Sequence, residues 1–284
     1  GISGLVDLAV DTDQQAIDAI KRFLSYLPSH CNEAPPVAPV PEGSDAPCRK
    51  MLEIVPESRN KVYDVRKVIA AIADIDSTFE LKERYGKSVA TVFGRLNGHS
   101  VGFIANNPMF KGGALDADAC QKITSFMVLC DSFNVPLIYL VDVPGFLIGV
   151  EGEMRGMPGK VINWMNAMSQ VTVPKLTVIM RKSYGQAYIN MAGGKGADEV
   201  ALWPTADLGF MDPAVSVNVL YGIKQEDDPE RFKELIAEVQ RDTSAWALAE
   251  LYEAQNVIDP RDTRDYLIRT LEVHRLSLIH ISEP

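Results

Sequence analysis

Two short apolar runs, residues 136–143 (PLIYLVDV) and 174–180 (PKLTVIM), constrain this chain more than any other feature of it. Each opens on a proline and is apolar at consecutive positions, whereas a strand with one face in water alternates apolar and polar residues. Strands apolar on both faces are covered on both faces, the situation of central strands in a parallel sheet. Parallel neighbours need a crossover, usually a helix, and a helix-like segment at 160–171 stands between these two runs. The predicted fold class is α/β.

The remaining segments extend the pattern. Residues 88–95 and 100–105 flank Asn97-Gly98, a pair suited to the positive-φ positions of a tight turn, and predict a β-hairpin. Residues 116–133 predict a helix with acidic residues in its first turn, where the helix dipole favours negative charge. Val65, Val68, Ile69 and Ile72 mark a shorter one, short strands are expected at 200–203 and 207–211, and from Asp228 the chain turns helical and charged. Strand–strand–helix units follow one another without an internal repeat. Nearer the start, Ala16, Ile17, Ile20, Phe23, Leu24 and Leu27 recur at spacings of three and four, an amphipathic helix ended by Pro28. Prolines at 28, 35, 36, 39, 41 and 47 then break regular structure and read as an inter-domain linker. The expected organisation is the end of one domain plus its linker over 1–48 and a second domain over 49–275. Residues 276–284 (LSLIHISEP) read as a tail foreign to the protein. The abrupt Gly1-Ile2-Ser3 start, without Met, is expected to be a truncated front end.

A formal net charge of −10 sets a field that repels nucleic acid and anionic membranes, so neither is an expected partner. Acidity does not exclude a phosphate-bearing ligand, because a local basic patch suffices for one. No run of about 18 apolar residues is present, so no membrane span is expected. Cys31, Cys48, Cys120 and Cys130 lack C-x-x-C spacing and histidine partners. They read as reduced, packed thiols in a cytosol-like compartment, with no metal site.

Catalytic side chains are hard to find. No G-x-S-x-G, H-E-x-x-H or P-loop motif occurs, and no pair of carboxylates stands out. Of the histidines, His99 borders the hairpin turn and reads as a surface or packed residue, not a base. What remains is glycine at the ends of the buried strands. Pro144-Gly145-Phe146 follows the first, and Gly185-Gln186-Ala187 follows the second and opens a helix. Backbone N–H groups at such places are free to bind an oxyanion, and two converging loops would make a two-donor hole for an enolate oxygen. Either loop alone reads more readily as a tight turn; their equivalent placement after neighbouring buried strands shifts the balance toward a site.

Eight blocks then occur in order: Asn106-Asn107-Pro108-Met109, Gly112-Gly113-Ala114-Leu115-Asp116, Cys130-Asp131-Ser132-Phe133-Asn134-Val135-Pro136, Val141-Asp142-Val143-Pro144-Gly145-Phe146, Arg181-Lys182-Ser183-Tyr184-Gly185, Trp203-Pro204-Thr205-Ala206, Val257-Ile258-Asp259-Pro260 and Thr263-Arg264. Together they resemble the carboxyltransferase β family, which includes propionyl-CoA and methylcrotonyl-CoA carboxylases and biotin-dependent decarboxylases. The resemblance spans roughly residues 50–275, and the first 30 or so are similar to the end of that family's N-terminal domain.

The resemblance implies a crotonase-like spiral of strand–strand–helix units. In that family the N-terminal domain mostly binds acyl-CoA, the C-terminal domain mostly receives carboxybiotin, and active sites form between domains of different subunits. This chain is thus expected to carry the biotin half-site and to be inactive alone. The implied activity moves a carboxyl group between carboxybiotin and the α-carbon of an acyl-CoA, in the cytoplasm or, in a eukaryote, the mitochondrial matrix. Implied cofactors are biotin, carried on a partner protein or domain, and acyl-CoA as substrate, with no metal. Implied partners are a biotin carrier protein, a biotin carboxylase subunit and further copies of the chain, as dimer pairs building a hexamer. The implied mechanism suits the missing base: carboxybiotin releases CO2, the biotin anion removes the acyl α-proton, and the enolate attacks CO2.

Carried over block by block, Gly145 and Phe146 match one donor loop, Gln186 and Ala187 match the other, and Tyr184 and Ile189 fall at substrate-binding positions. Relatives typically have Gly-Ala where this chain has Gln186-Ala187, placing a side chain where backbone approach is needed, and often have Asp at the position of Ile189. Residues 151–166 and Met211-Asp212-Pro213 also depart from the propionyl-CoA type, which leaves the acyl group open. Three other readings stay open. One is the transferase subunit of a biotin-dependent decarboxylase. Another is a crotonase-type hydratase or isomerase, which needs a carboxylate at a helix start beside the hole. The third is an assembly subunit whose holes no longer function.

Overall fold

A computed structural model describes the backbone of residues 1–281 and the side chains as far as Arg275. The foreign-tail reading of 276–284 therefore lies outside the described side chains. Helix α1 (Asp13–Leu24) opens on a capping box in which the Thr12 hydroxyl accepts from Gln15 N and the Gln15 side chain accepts from Thr12 N. Ile17, Ile20 and Leu24 on it are exposed, while Phe23 packs edge-on against Phe93. Residues 28–46 hold no helix or strand, in keeping with the proline content. They lie against the hairpin turn, with Ala38 N donating to Gly98 O (2.9 Å) and Arg95 to Pro36 O (3.0 Å). Helices α2 (Met51–Ile54) and α3 (Val65–Ile72) follow, α3 capped by Asp64 and buried along the four residues that marked it.

Strands β1 (Phe79–Leu81), β2 (Val89–Leu96) and β3 (His99–Asn106) pair antiparallel, and the predicted hairpin turns at Asn97 and Gly98, both at positive φ (52° and 80°). Helix α4 (Ala117–Ser132), capped by Asp116, leads into β4 (Leu137–Val143), the first apolar run, every residue of which is buried. Between β4 and β5 (Lys175–Tyr184) the structure places two helices, α5 (Val150–Met154) and α6 (Met157–Gln170), where one was expected. The break falls at Gly156, in the left-handed region (φ 67°) and followed by Pro158 at the start of α6.

Helix α7 (Gly185–Asn190), β6 (Glu199–Leu202) and β7 (Asp207–Gly209) come next; β7 ends two residues short of expectation because Asp212 caps α8 (Pro213–Tyr221). Helices α9 (Pro229–Asp242) and α10 (Ala245–Glu250), strand β8 (Asn256–Val257) and α11 (Thr263–Ile281) complete the order. The sheet runs β1-β2-β3-β4-β5-β6-β8, with β7 on the far end of β5, and every pairing from β3 onward is parallel. Along β4, Leu137, Tyr139, Val141 and Val143 enter a core with Phe126, Met127 and Trp164, while Ile138 and Leu140 enter another with Ile69, Ile72, Leu267 and Leu271. That alternation is how a strand apolar throughout comes to need two layers of helices.

Lys122, on α4, is fully buried and donates to two carbonyls, Tyr85 O (3.0 Å) and Val89 O (2.7 Å). Burial lowers this lysine to about 8 from an ordinary 10.5. Below pH 8 both folded and unfolded chains hold the proton and the folded state carries the whole cost of a buried charge. As pH rises from about 8 to 10.5 the folded state releases its proton first, and the cost lifts. The stability difference between the native chain and Lys122→Met should therefore shift toward the native chain by about 3 kcal/mol over that window. Urea unfolding at several alkaline pH values checks this, and a pH-independent difference would refute it.

Cys48, Cys120 and Cys130 are buried and Cys31 exposed, all as free thiols. Among the described residues, no helix is long and apolar enough to cross a membrane, and no group of three His, Cys, Asp or Glu is placed to hold a metal.

Candidate active site

Because β3, β4 and β5 run parallel, the segments that follow them share one edge of the sheet, the edge at which α/β sheets bind ligands. After β4 the chain makes a parallel bridge: Leu115 N donates to Gly145 O (3.0 Å), and Leu147 N to Leu115 O (2.8 Å). This uses the groups on either side of Phe146. In extended backbone successive groups alternate in direction, so the Phe146 N–H is turned away from Leu115. Gly145 has φ +140°, and a Cβ there would meet no atom within 4 Å, so the loop faces open space. The Phe146 ring is fixed edge-on against the buried indole of Trp164, centroids 6.4 Å apart.

The second loop is tighter. Gly185 has φ +60°, and a Cβ there would come 3.0 Å from Phe210 O, so both conformation and contact require glycine. No side chain caps α7, which leaves the first-turn N–H groups, Gln186 and Ala187 among them, without an intrahelical acceptor. Ala187 is fully buried; Gln186 is exposed, and its amide nitrogen turns back onto Asn190 Oδ1 (2.9 Å) and the Met165 sulfur (3.2 Å). The side chain that departs from the Gly-Ala pattern is thus held along α7 and α6.

Ile189 is 44% exposed, so it is not a core residue. Ile148, Val150 and Met154 beyond the first loop and Phe210 beside the second are also exposed, giving this edge an apolar rim. Tyr184 sits differently from the other expected residues: its ring is buried and its hydroxyl donates to Asp207 Oδ2 (2.9 Å) while meeting the Arg59 guanidinium. Burial and the Asp207 carboxylate push the Tyr184 phenol far up, so it stays protonated.

Sequence reasoning missed the group beneath both loops. Asp142, near the end of β4, is 0% exposed and takes two bonds from Arg181 on β5 (2.9 and 2.7 Å), itself 1% exposed, and one from the Tyr63 hydroxyl (3.1 Å). The remaining Arg181 nitrogen donates to Pro56 O (3.2 Å), Ser58 O (2.8 Å) and Lys61 O (2.9 Å). One ion pair therefore locks the ends of two neighbouring strands and lashes residues 56–63 across them. The available signal was an aspartate inside one apolar run and an arginine ending the other, since charges are almost never buried unpaired.

The chemistry open to this edge is narrow. His99 lies at the opposite end of β3, its ring nitrogen 2.6 Å from Arg275, and burial with that neighbour lowers its pKa. The first turn of α7 carries no acid, and Asp142 and Asp207 are both engaged by arginine. Main-chain donors can hold negative charge developing on an oxygen here; the carboxylate that a hydratase or isomerase needs at a helix start is not in the first turn of α7.

The profile of the carboxyl transferase domain matches residues 1–281. The chain belongs to the carboxyl transferase domain family. It is 41% identical to the carboxyltransferase subunit of propionyl-CoA carboxylase from Haloferax mediterranei, over 95% of this chain and 54% of that protein. It is 39% identical to the methylmalonyl-CoA carboxyltransferase 12S subunit of Propionibacterium freudenreichii subsp. shermanii (96% and 53%) and 35% identical to the methylmalonyl-CoA decarboxylase subunit alpha of Veillonella parvula (95% and 52%). The crystal structure of transcarboxylase 12S, a hexamer assembly with methylmalonyl-CoA and methylmalonic acid bound, superposes with a TM-score of 0.91 at 37% identity, covering 97% of this chain and 54% of that one. The chain spans about half the length of the relatives it matches, and its fold is the crotonase-like α/β fold of carboxyltransferases. Within this carboxyl transferase chain the eight blocks divide. Those opening at Asn106, Gly112, Val141 and Arg181 end strands or form loops at the candidate edge, while the Cys130 block joins α4 to the start of β4. The later ones are structural: Trp203 Nε1 donates to Thr263 Oγ1 (2.9 Å), and Arg264 pairs with buried Asp74 (2.6 Å).

Proposed function

We propose that this chain supplies the biotin-facing half of a carboxyltransferase that moves a carboxyl group between biotin and the α-carbon of an acyl-CoA. The observation that carries the reading is the pair of glycine-bearing loops at the ends of β4 and β5, the second opening an uncapped helix with no acid in its first turn. Phe146 of the Pro144-Gly145-Phe146 loop and Gln186 and Ala187 of α7 would hold an oxygen that gains charge, and the open space before Gly145 fits a group entering from a partner. Biotin, on a carrier protein or domain, would bring the carboxyl group; the protein would orient, exclude water and stabilise charge. The substrate-facing half is proposed to come from the N-terminal domain of another subunit, in a cytoplasmic or mitochondrial-matrix assembly of dimer pairs forming a hexamer, served by a biotin carboxylase. The same geometry serves a decarboxylase, as the Veillonella relative illustrates; CO2 release from the assembled complex without ATP distinguishes that direction.

The test is carboxyl transfer from labelled methylmalonyl-CoA to biotin by the full-length subunit, with residues 1–275 alone expected to be inactive. Transfer by the short chain, or none by the full assembly, would overturn the proposal. Ile189 is expected to set acyl preference by apolar contact. Being exposed, it admits Asp without burying a charge, so Ile189→Asp should keep its melting temperature. Its kcat/KM for butyryl-CoA relative to propionyl-CoA should fall by about 10-fold, within what a methylene contact supplies. An unchanged ratio in the folded variant would remove Ile189 from the pocket.

A further inference from the structure

We infer that Arg59 is a positioning residue for carboxyl transfer, acting through Tyr184 on the main-chain donors of α7. The inference rests on the proposed function for its kinetics but not for its geometry. Residues 56–63 are held at both ends, by the carbonyls that Arg181 takes and by the Tyr63 hydroxyl on Asp142. From the middle of this strap Arg59 crosses to three elements at once. One terminal nitrogen bonds Asp207 Oδ2 on β7 (2.7 Å); the other bonds Asp212 Oδ2 at the start of α8 (3.1 Å) and the Tyr184 hydroxyl at the end of β5. The guanidinium also lies 5.6 Å from the centre of the Tyr184 ring.

Both aspartates are already committed. Asp207 accepts the Thr243 hydroxyl (2.7 Å) and Asp212 caps α8 through Ala214 N (2.9 Å). Arg59 therefore closes a frame whose members cannot rotate away. Tyr184 directly precedes Gly185, whose turn is pressed against Phe210 O with no space for a Cβ. A displacement of Tyr184 thus passes into the N–H groups of Gln186 and Ala187 with no slack between. A misplacement of about 1 Å at such a site can cost up to 100-fold in rate. Because the donors act on charge that develops during reaction, the loss belongs in kcat and not in KM. Lysine presents a single nitrogen and cannot span three acceptors.

The test uses the full-length subunit with its biotin carrier. Arg59→Met is expected to lower kcat about 10-fold or more, with KM for acyl-CoA within about twofold. Arg59→Lys should recover part of the loss. Tyr184→Phe, which removes only the hydroxyl, should lower kcat less, and the double variant should be no worse than Arg59→Met, because coupled residues are not additive. Hydrogen exchange supplies a readout that needs no activity: amides 187–191 should exchange faster in Arg59→Met while those of β4 stay unchanged. If Arg59→Met fails to fold, Tyr184→Phe carries the same exchange test. Native kcat and native exchange in these variants, or fully additive kcat losses, would overturn the inference. Absence of transfer in the unmutated assembly would instead sink the proposed function, and the exchange result would still decide the role of Arg59.

Discussion

Replacing alanine 187 by its α-hydroxy analogue, so that an ester stands in place of the Gln186–Ala187 peptide, is expected to lower kcat by about 100-fold or more in the full-length enzyme. The change removes one N–H and adds no atom. Proline would remove the same donor, but Ala187 is fully buried, leaving no room for the ring, and proline would push Gln186 out of its helical conformation. Ala187 O should still accept from Met191 N, a 2.9 Å bond, so the helix retains its own ladder there. Circular dichroism and melting establish that the fold persists. A folded ester variant with near-native kcat would exclude Ala187 as a donor to the reacting oxygen.

Arg181→Met is expected to destabilise the chain by about 3–5 kcal/mol, the range for breaking a buried ion pair by removing one partner. It leaves the Asp142 carboxylate at zero exposure, with the Tyr63 hydroxyl, Lys182 N at 3.3 Å and Lys182 Nζ at 3.9 Å as remaining partners. It also strips the donor from three carbonyls of the strap. Asp142→Leu combined with Arg181→Met should recover part of the loss, because two apolar residues leave no unpaired charge. Urea unfolding checks both, and a single variant within about 1 kcal/mol of the native chain would show that water or rearrangement supplies a substitute partner.

The two central strands, the hairpin turn and the helix that Asp116 caps were legible because each follows from a local rule: continuous apolarity, Asn-Gly at a two-residue turn, an acid at a helix start. The proposed donor loops drew notice only through their equivalent placement after neighbouring strands, since a glycine-rich loop taken alone reads as a tight turn. Arg59 was not legible. It reaches a partner 148 residues away, and nothing near Arg59 in sequence says where its guanidinium goes. The pairing of Asp142 with Arg181 lay in plain view as two charges in apolar runs, but their partnership depends on β4 and β5 being neighbours in register. Tyr184 falls at a substrate-binding position by resemblance alone; its buried ring and its hydroxyl bond to Asp207, 23 residues on, follow from the pairing of β5 with β7, which no local rule announces.

That Gln186 turns its side chain back onto Asn190 and Met165 has a consequence for how this protein tolerates genetic change. A main-chain contact is common to every amino acid except proline, so codon changes at 186 need not register in a growth selection, even though the atom at that position would face the reaction. Selection should bear on Gly185, where conformation and contact both require glycine, and on Asp142 and Arg181, since losing either one leaves the other a buried, unpaired charge. A deep mutational scan of the full-length subunit would then draw the map inverted: intolerant positions outlining the supports, and tolerant ones marking the contact.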